Sequence, residues 1–292
     1  MIPQSNQNLP VPSPARPRIS IERLVETKLP PAPGSMIRIT NLLRDYNSST
    51  RQICDAISYE PALVTRILRL ANSPIYSFET NVTSVAMAVN AVGTKTLQDI
   101  VMVELASAAF GKQIRNSPVG QKIWEHSLAV AMLARELSKM LEMHGTEETF
   151  TCGLLHDLGK LILLSNDFDA YSVILEEDGE SEMLLAETRQ YGYNHTEVGS
   201  LVAKRWGLPE GVCYAILHHH NPSQAEHPML VAHIVDVADI VANIKGYGVR
   251  VEDASKLECS ESVMKLGFTI ESLDRAWLGL ESQIEEIINT FS

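Results

Sequence analysis

Apolar residues recur along this chain at three- and four-residue intervals, and the period-two alternation of strands is scarce. The pattern predicts an all-α protein. Ser48, Ser49 or Thr50 can cap a helix running through Ile57, and Pro61 suits the first turn of the next, with Leu63, Ile67, Leu68 and Ala71 at helical spacing. Further helices are expected over 83–92 and 94–112. The polar break Asn116-Ser117-Pro118 precedes a long helix to about Met143, which carries His126, Val130, Leu133 and Leu137 on one stripe. Helices near 147–163, 180–191, 195–206 and 210–219 follow, set apart by Gly, Pro and Asn. Residues 229–244 are apolar on nearly every face, as in a helix buried on all sides, and a last amphipathic helix spans about 270–290. Residues 1–18 are rich in proline with almost nothing to bury and read as a disordered tail. Two helical lobes are expected, over 19–115 and 116–292.

Size and charge narrow the function classes. A chain of 292 residues with 45% apolar content can bury a sizeable core. Its 24 basic and 36 acidic residues leave a net charge of −12, which speaks against nucleic acid or an anionic membrane as partner. A small phosphate ligand in a locally basic pocket stays compatible with that balance. Cys54, Cys152, Cys213 and Cys259 form no CxxC unit, and Cys152 and Cys213 sit in apolar runs as small buried hydrophobes would. No stretch matches a membrane span or a signal peptide, so a cytoplasmic protein is expected.

The chemistry is concentrated in His156-Asp157-Leu158-Gly159-Lys160. On one helix, His156 and Lys160 would be i,i+4 neighbours and Asp157 and Lys160 i,i+3 neighbours, so all three can serve one site. The residues before them (Phe150, Cys152, Leu154, Leu155) are mostly apolar, so these polar groups enter a buried region, where they must pair or bind a metal. Other candidates lie far away in sequence. His126 is on an apolar stripe, His195 begins a helix, His218-His219-His220 closes one, and Asp236 and Asp239 lie within an apolar helix. Taken singly, each has a plainer account: a hydrogen-bonded core histidine, a capping carboxylate, or a polar helix end favoured by the dipole. His144, His227 and His233 match nothing further. Taken together, the others are the ligand types that divalent metals use.

The order His126, His156-Asp157, His195, His219-His220, Asp239 resembles the HD superfamily of metal-dependent phosphohydrolases, and its fullness resembles the HD-GYP phosphodiesterases. Other segments are similar to the HDOD domain, the HD-related output domain. They are Leu29-Pro30, Glu60-Pro61-Ala62-Leu63, the run Ile67 to Ser73 and Ala88-Val89 to Gly93 in the first half. Trp124-Glu125-His126-Ser127, Gly153 to Lys160, Trp206-Gly207-Leu208-Pro209 and His219-His220-Asn221-Pro222 carry the resemblance through the second half, so that it covers about 20–245. HDOD proteins are regulatory or signalling modules, many without metal ligands, whereas this chain keeps them. It lacks the Gly-Tyr-Pro of HD-GYP proteins, reading Asn221-Pro222-Ser223-Gln224 after the histidine pair, which argues against cyclic di-GMP hydrolysis.

The resemblance implies a two-lobed HDOD architecture with His126, His156, Asp157, His195, His219, His220 and Asp239 as metal ligands. Asp239 is preferred to Asp236 because Val237-Ala238-Asp239 resembles the terminal HD aspartate. Imidazoles and carboxylates together suit divalent Fe, Mn or Zn, and a set of this size is enough for two ions. Asp157 would bridge them, and Lys160 would offset charge on a phosphate oxygen. Two functions follow: a signal-transduction module with a protein partner, or a metal-dependent phosphohydrolase acting on a cyclic nucleotide or another phosphoester.

Overall fold

The computed structural model describes residues 19–28, 34–45, 47–73, 82–115, 117–143, 146–176, 180–224 and 230–291. The expected tail, Leu29-Pro30, His144 and His227 lie outside them. The protein is all-α, with no strand among the described residues. The first helices are α1 (Ile21–Lys28), α2 (Gly34–Arg44), α3 (Thr50–Ser58), α4 (Pro61–Ala71) and α5 (Val85–Arg115). Ser49 caps α3: its hydroxyl accepts from the Gln52 N–H while the Gln52 side chain accepts from the Ser49 N–H. Pro61 opens α4, where a missing N–H costs nothing. Asn72 ends it by donating to the Val82 carbonyl and accepting from the Val82 N–H, at 2.8 and 2.7 Å, which fastens the chain back against α4. The two helices expected over 83–92 and 94–112 run on as α5 but meet at Gly93, whose φ of 81° is open to glycine at little cost.

The second lobe is built around α6 (Pro118–Met140), most of which is buried. Helix α7 (Thr146–Leu155) and α13 (Leu230–Ile244) pack on it, and α16 (Ile270–Phe291) packs on both α6 and the first lobe. The rest comprises α8 (Leu158–Asn166), α9 (Phe168–Ile174), α10 (Glu180–Tyr191), α11 (His195–Arg205), α12 (Glu210–His218), α14 (Ser255–Cys259) and α15 (Glu261–Leu266). One apolar cluster runs from Leu24 to Ile284 through both lobes. Helix α5 is tied to its neighbours by ion pairs, Glu104 with Arg66 of α4 and Asp99 with Arg135 of α6. Arg135 also lies over the Phe150 ring of α7, 5.2 Å from its centre.

One expectation is corrected. The single helix expected over 147–163 is two, α7 and α8, separated by a turn at His156-Asp157. In an unbroken helix adjacent side chains point about 100° apart. The turn relieves that constraint, so His156 and Asp157 both face the same interior point, and the Asp157 carbonyl starts α8 by accepting from the Lys160 N–H at 2.9 Å.

Gly153 sets the approach of α7 to α6. A Cβ there would sit 2.8 Å from the Ala131 Cα, against backbone that cannot give way. Gly153→Ala is expected to destabilise the fold by about 1–3 kcal/mol, measured by urea denaturation; an unchanged midpoint would show that the two helices are free to separate.

Candidate metal centre

The residues that sequence reading singled out converge on one buried place from separate elements. His126 comes from the middle of α6, His156 and Asp157 from the α7–α8 turn, His195 from the start of α11, His219 and His220 from the end of α12, and Asp239 from α13. They fall into two groups, each with ligand atoms within 4.8 Å of one another: Asp157, His195, His219 and His220, and His126, His156 and Asp239. Asp157 faces both. Its Oδ1 is 3.4 Å from His195 Nε2 and 3.8 Å from His219 Nε2, while its Oδ2 is 3.5 Å from His156 Nε2 and 3.8 Å from His126 Nε2. Lys160 Nζ lies 2.7 Å from the same Oδ2. Asp239 Oδ1 is 2.9 Å from His126 Nε2, and Oδ2 is 3.9 Å from His220 Nδ1.

A glycine makes this convergence sterically feasible. A Cβ on Gly159 would overlap the His195 carbonyl oxygen, so only glycine lets α8 and the start of α11 come close enough for His195 to reach Asp157. Outer partners then orient the rings. His156 Nδ1 donates to the Gly153 carbonyl and His219 Nδ1 to the Ile216 carbonyl, both at 2.7 Å. His195 Nδ1 donates to the Glu187 carboxylate at 2.9 Å, and Glu187 also accepts from the His195 N–H and, at 2.6 Å, from the Tyr171 hydroxyl. With Nδ1 committed outward as a donor, each of these rings turns an Nε2 lone pair inward, the arrangement that metal-ligating histidines adopt.

The electrostatics agree. Burial is the largest influence on His156, His219 and His220 and pushes all three below the usual histidine value, His219 to about 3. Those rings are neutral at pH 7 and able to coordinate. Burial acts to raise the Asp157 and Asp239 carboxyls, but it is outweighed. Lys160 and the imidazoles hold Asp157 well below the ordinary range, and His126, His156 and His220 lower Asp239. Both stay anionic.

Whether a divalent ion fits can be judged from the unmet polar atoms. His156 Nε2, His219 Nε2 and Asp157 Oδ1 are buried and have no hydrogen-bond partner, although they face one another. His195 Nε2 and His220 Nε2 are 3.1 Å apart, and with His195 Nδ1 already a donor, its Nε2 brings a lone pair rather than a proton to that contact. Inward lone pairs around an anionic carboxylate are the donor set of Zn, Fe or Mn sites, and the residues present fit such an ion.

Asp239 lies in the cluster, whereas Asp236 is half-buried and not among its groups. His233 lies elsewhere, with Nδ1 2.8 Å from the Ser262 hydroxyl, and His218 ends α12 stacked on Tyr214. Sequence reading missed Glu187, Tyr171 and Asn243. Glu187 looks like any acid in the charged run Glu180 to Tyr191. Asn243, which donates to Asp239 Oδ1 at 2.9 Å, did carry a signal: a lone amide one turn beyond an aspartate in an apolar helix.

The sequence and the fold have known relatives. A family model described as the HDOD domain matches residues 29–222. An uncharacterised protein of Treponema pallidum is 27% identical over 197 residues, 66% of this chain and 38% of that protein. Ribonuclease Y of Thermus thermophilus is 29% identical over 161 residues, 55% of this chain and 23% of that enzyme. The chain thus spans less than half the length of these relatives. An HDOD domain protein of unknown function from Geobacter sulfurreducens superposes with a TM-score of 0.73 at 25% identity, over 93% of this chain and 95% of its own. A proposed phosphohydrolase from Shewanella amazonensis shares the fold with a TM-score of 0.75 at 24% identity, over 94% and 99% of the two chains.

Tyr171 tests the outer support without touching the cluster. Tyr171→Phe removes a buried hydrogen bond to a charged acceptor and is expected to cost about 1.5–3 kcal/mol in chemical denaturation. A loss near zero would mean that Glu187 is held by His195 alone.

Proposed function

The chain belongs to the HDOD domain family, and from that footing we propose that it is a signal-transduction or regulatory protein whose second lobe holds one or two divalent metal ions. The observation that carries this reading is the placement of Asp157, which presents one carboxylate oxygen to each of two histidine groups. His195, His219 and His220 would serve one ion, His126, His156 and Asp239 the other, and Asp157 both. Fe, Mn and Zn suit these donors. A protein partner is expected to read the state of this centre.

The second reading, a metal-dependent phosphohydrolase acting on a phosphoester or a cyclic nucleotide, is favoured by one further observation. A cavity of about 20 Å³ lined by Lys160, Asp157 and His126 opens beside the cluster. A divalent ion there would supply Lewis acidity and a water activated near neutral pH. Asp157 keeps the Lys160 ammonium in place, so its charge can meet a phosphate oxygen as negative charge develops. Burial of the remaining groups excludes bulk water from the rings and carboxylates, which strengthens each of those interactions.

Elemental analysis of protein purified without chelators tests the centre. The wild type is expected to carry about one or two equivalents of Fe, Mn or Zn. Asp157→Ala is expected to carry none, and full occupancy in that variant would overturn the assignment. Glu187→Gln leaves the donors in place but removes the charge behind His195, so it is expected to weaken metal affinity by about 10–100-fold in a chelator competition.

A further inference from the structure

Helix α1 stands just before the stretch that the family model matches, which begins at residue 29. By its position in the chain it opens the first lobe, yet it packs on the second, against α8 and α11. Those two helices carry groups that face each other across the centre. Asp157 and Lys160 stand at the start of α8 and His195 at the start of α11, and Gly159 lets the two backbones meet. Helix α1 therefore braces the pair of helices whose spacing decides whether His195 reaches Asp157.

Apolar and polar contacts together seat it. Leu24 and Val25 are adjacent in sequence and both fully buried, while Glu22, Arg23, Glu26 and Thr27 are exposed. The Lys28 ammonium donates at 3.1 Å to the carbonyl of Ser165, in the last turn of α8, where helix carbonyls lack intrahelical partners. Arg205, the last residue of α11, donates through Nη2 to the Glu22 carbonyl at 3.4 Å and to the Glu26 carboxylate at 3.2 Å. Each of the two helices thus gives α1 a polar fastening beside the buried aliphatic pair. Eight residues are too few to hold a helix in water without tertiary support, so the helix and its docking form together. The cost of ordering those residues offsets much of what two buried aliphatic side chains return, which leaves the seated and released states close in free energy.

We propose that α1 is a latch on the centre: seated, it holds α8 and α11 together, and released, it loosens the grip of the centre on its ion. The second half rests on reading the cluster as a metal centre; the first half is tested apart from it. Hydrogen exchange would be measured on the full chain, with wild type and variant matched in metal content. Leu24→Asp puts a charge at a buried position of α1 and is expected to release it. Amides of α8 and α11 are then expected to exchange about tenfold or more faster, while those of α6 and α13 keep their protection.

Unchanged exchange in α8 and α11 would overturn the proposal. An equal loss of protection across all four helices would overturn it too, since α1 would then be an ordinary part of the core. Should Leu24→Asp fail to fold, Leu24→Ala decides by the same comparison with a smaller shift. On metal-loaded protein, transfer of the ion to excess chelator is expected to be about fivefold or more faster in the variant than in the wild type. Equal rates would overturn the coupling to the centre. A wild type that takes up no metal would overturn the metal reading and with it that coupling, while the exchange comparison would still decide whether α1 holds α8 and α11.

Discussion

The second lobe is organised by a charge in the wrong place. Asp157 is a carboxylate with 2% of its surface exposed, and the Lys160 ammonium lies against it. An ion so deeply buried is tolerated only when its neighbours compensate for lost hydration. Here the compensation comes from Lys160 three residues along and from imidazoles delivered by distant elements. Each of those imidazoles must itself be oriented. The need to satisfy Asp157 therefore propagates outward to Gly153, Ile216, Glu187 and Tyr171, and it sets which way each ring faces.

Close backbone approach is the other half of that requirement. A carboxylate reaches its partners only over short distances, so the helices bearing them must come nearer than ordinary side chains allow. Gly153 brings α7 onto α6, and Gly159 brings α8 under the start of α11. The turn between α7 and α8 falls between these two glycines. Chain geometry and electrostatics are thereby coupled: the backbone bends where two consecutive polar side chains have to share one interior point.

The same logic links the centre to its opening. Asp239 is lowered and oriented by His126, and it also accepts from Asn243, whose backbone carbonyl anchors the segment after α13.

Much of this was legible in the chain. Helical spacing marks most of the elements from Thr50 onward, because each amphipathic or fully apolar face repeats locally, but it did not mark the short helices α9, α14 and α15. The cluster residues stood out because His and Asp are conspicuous on apolar faces, where burial is costly. What sequence could not supply was the break at His156-Asp157, which local propensity reads as continuous helix; the pull of the cluster decides it. Nor could it pick Glu187 from among the other acids of its helix, or bring Val249, Arg250 and Glu252 to the cavity beside Lys160. Burial preference and helical period are properties of neighbouring residues and are written in the chain. Which distant charge meets which ring depends on how helices pack, and only the tertiary structure decides that.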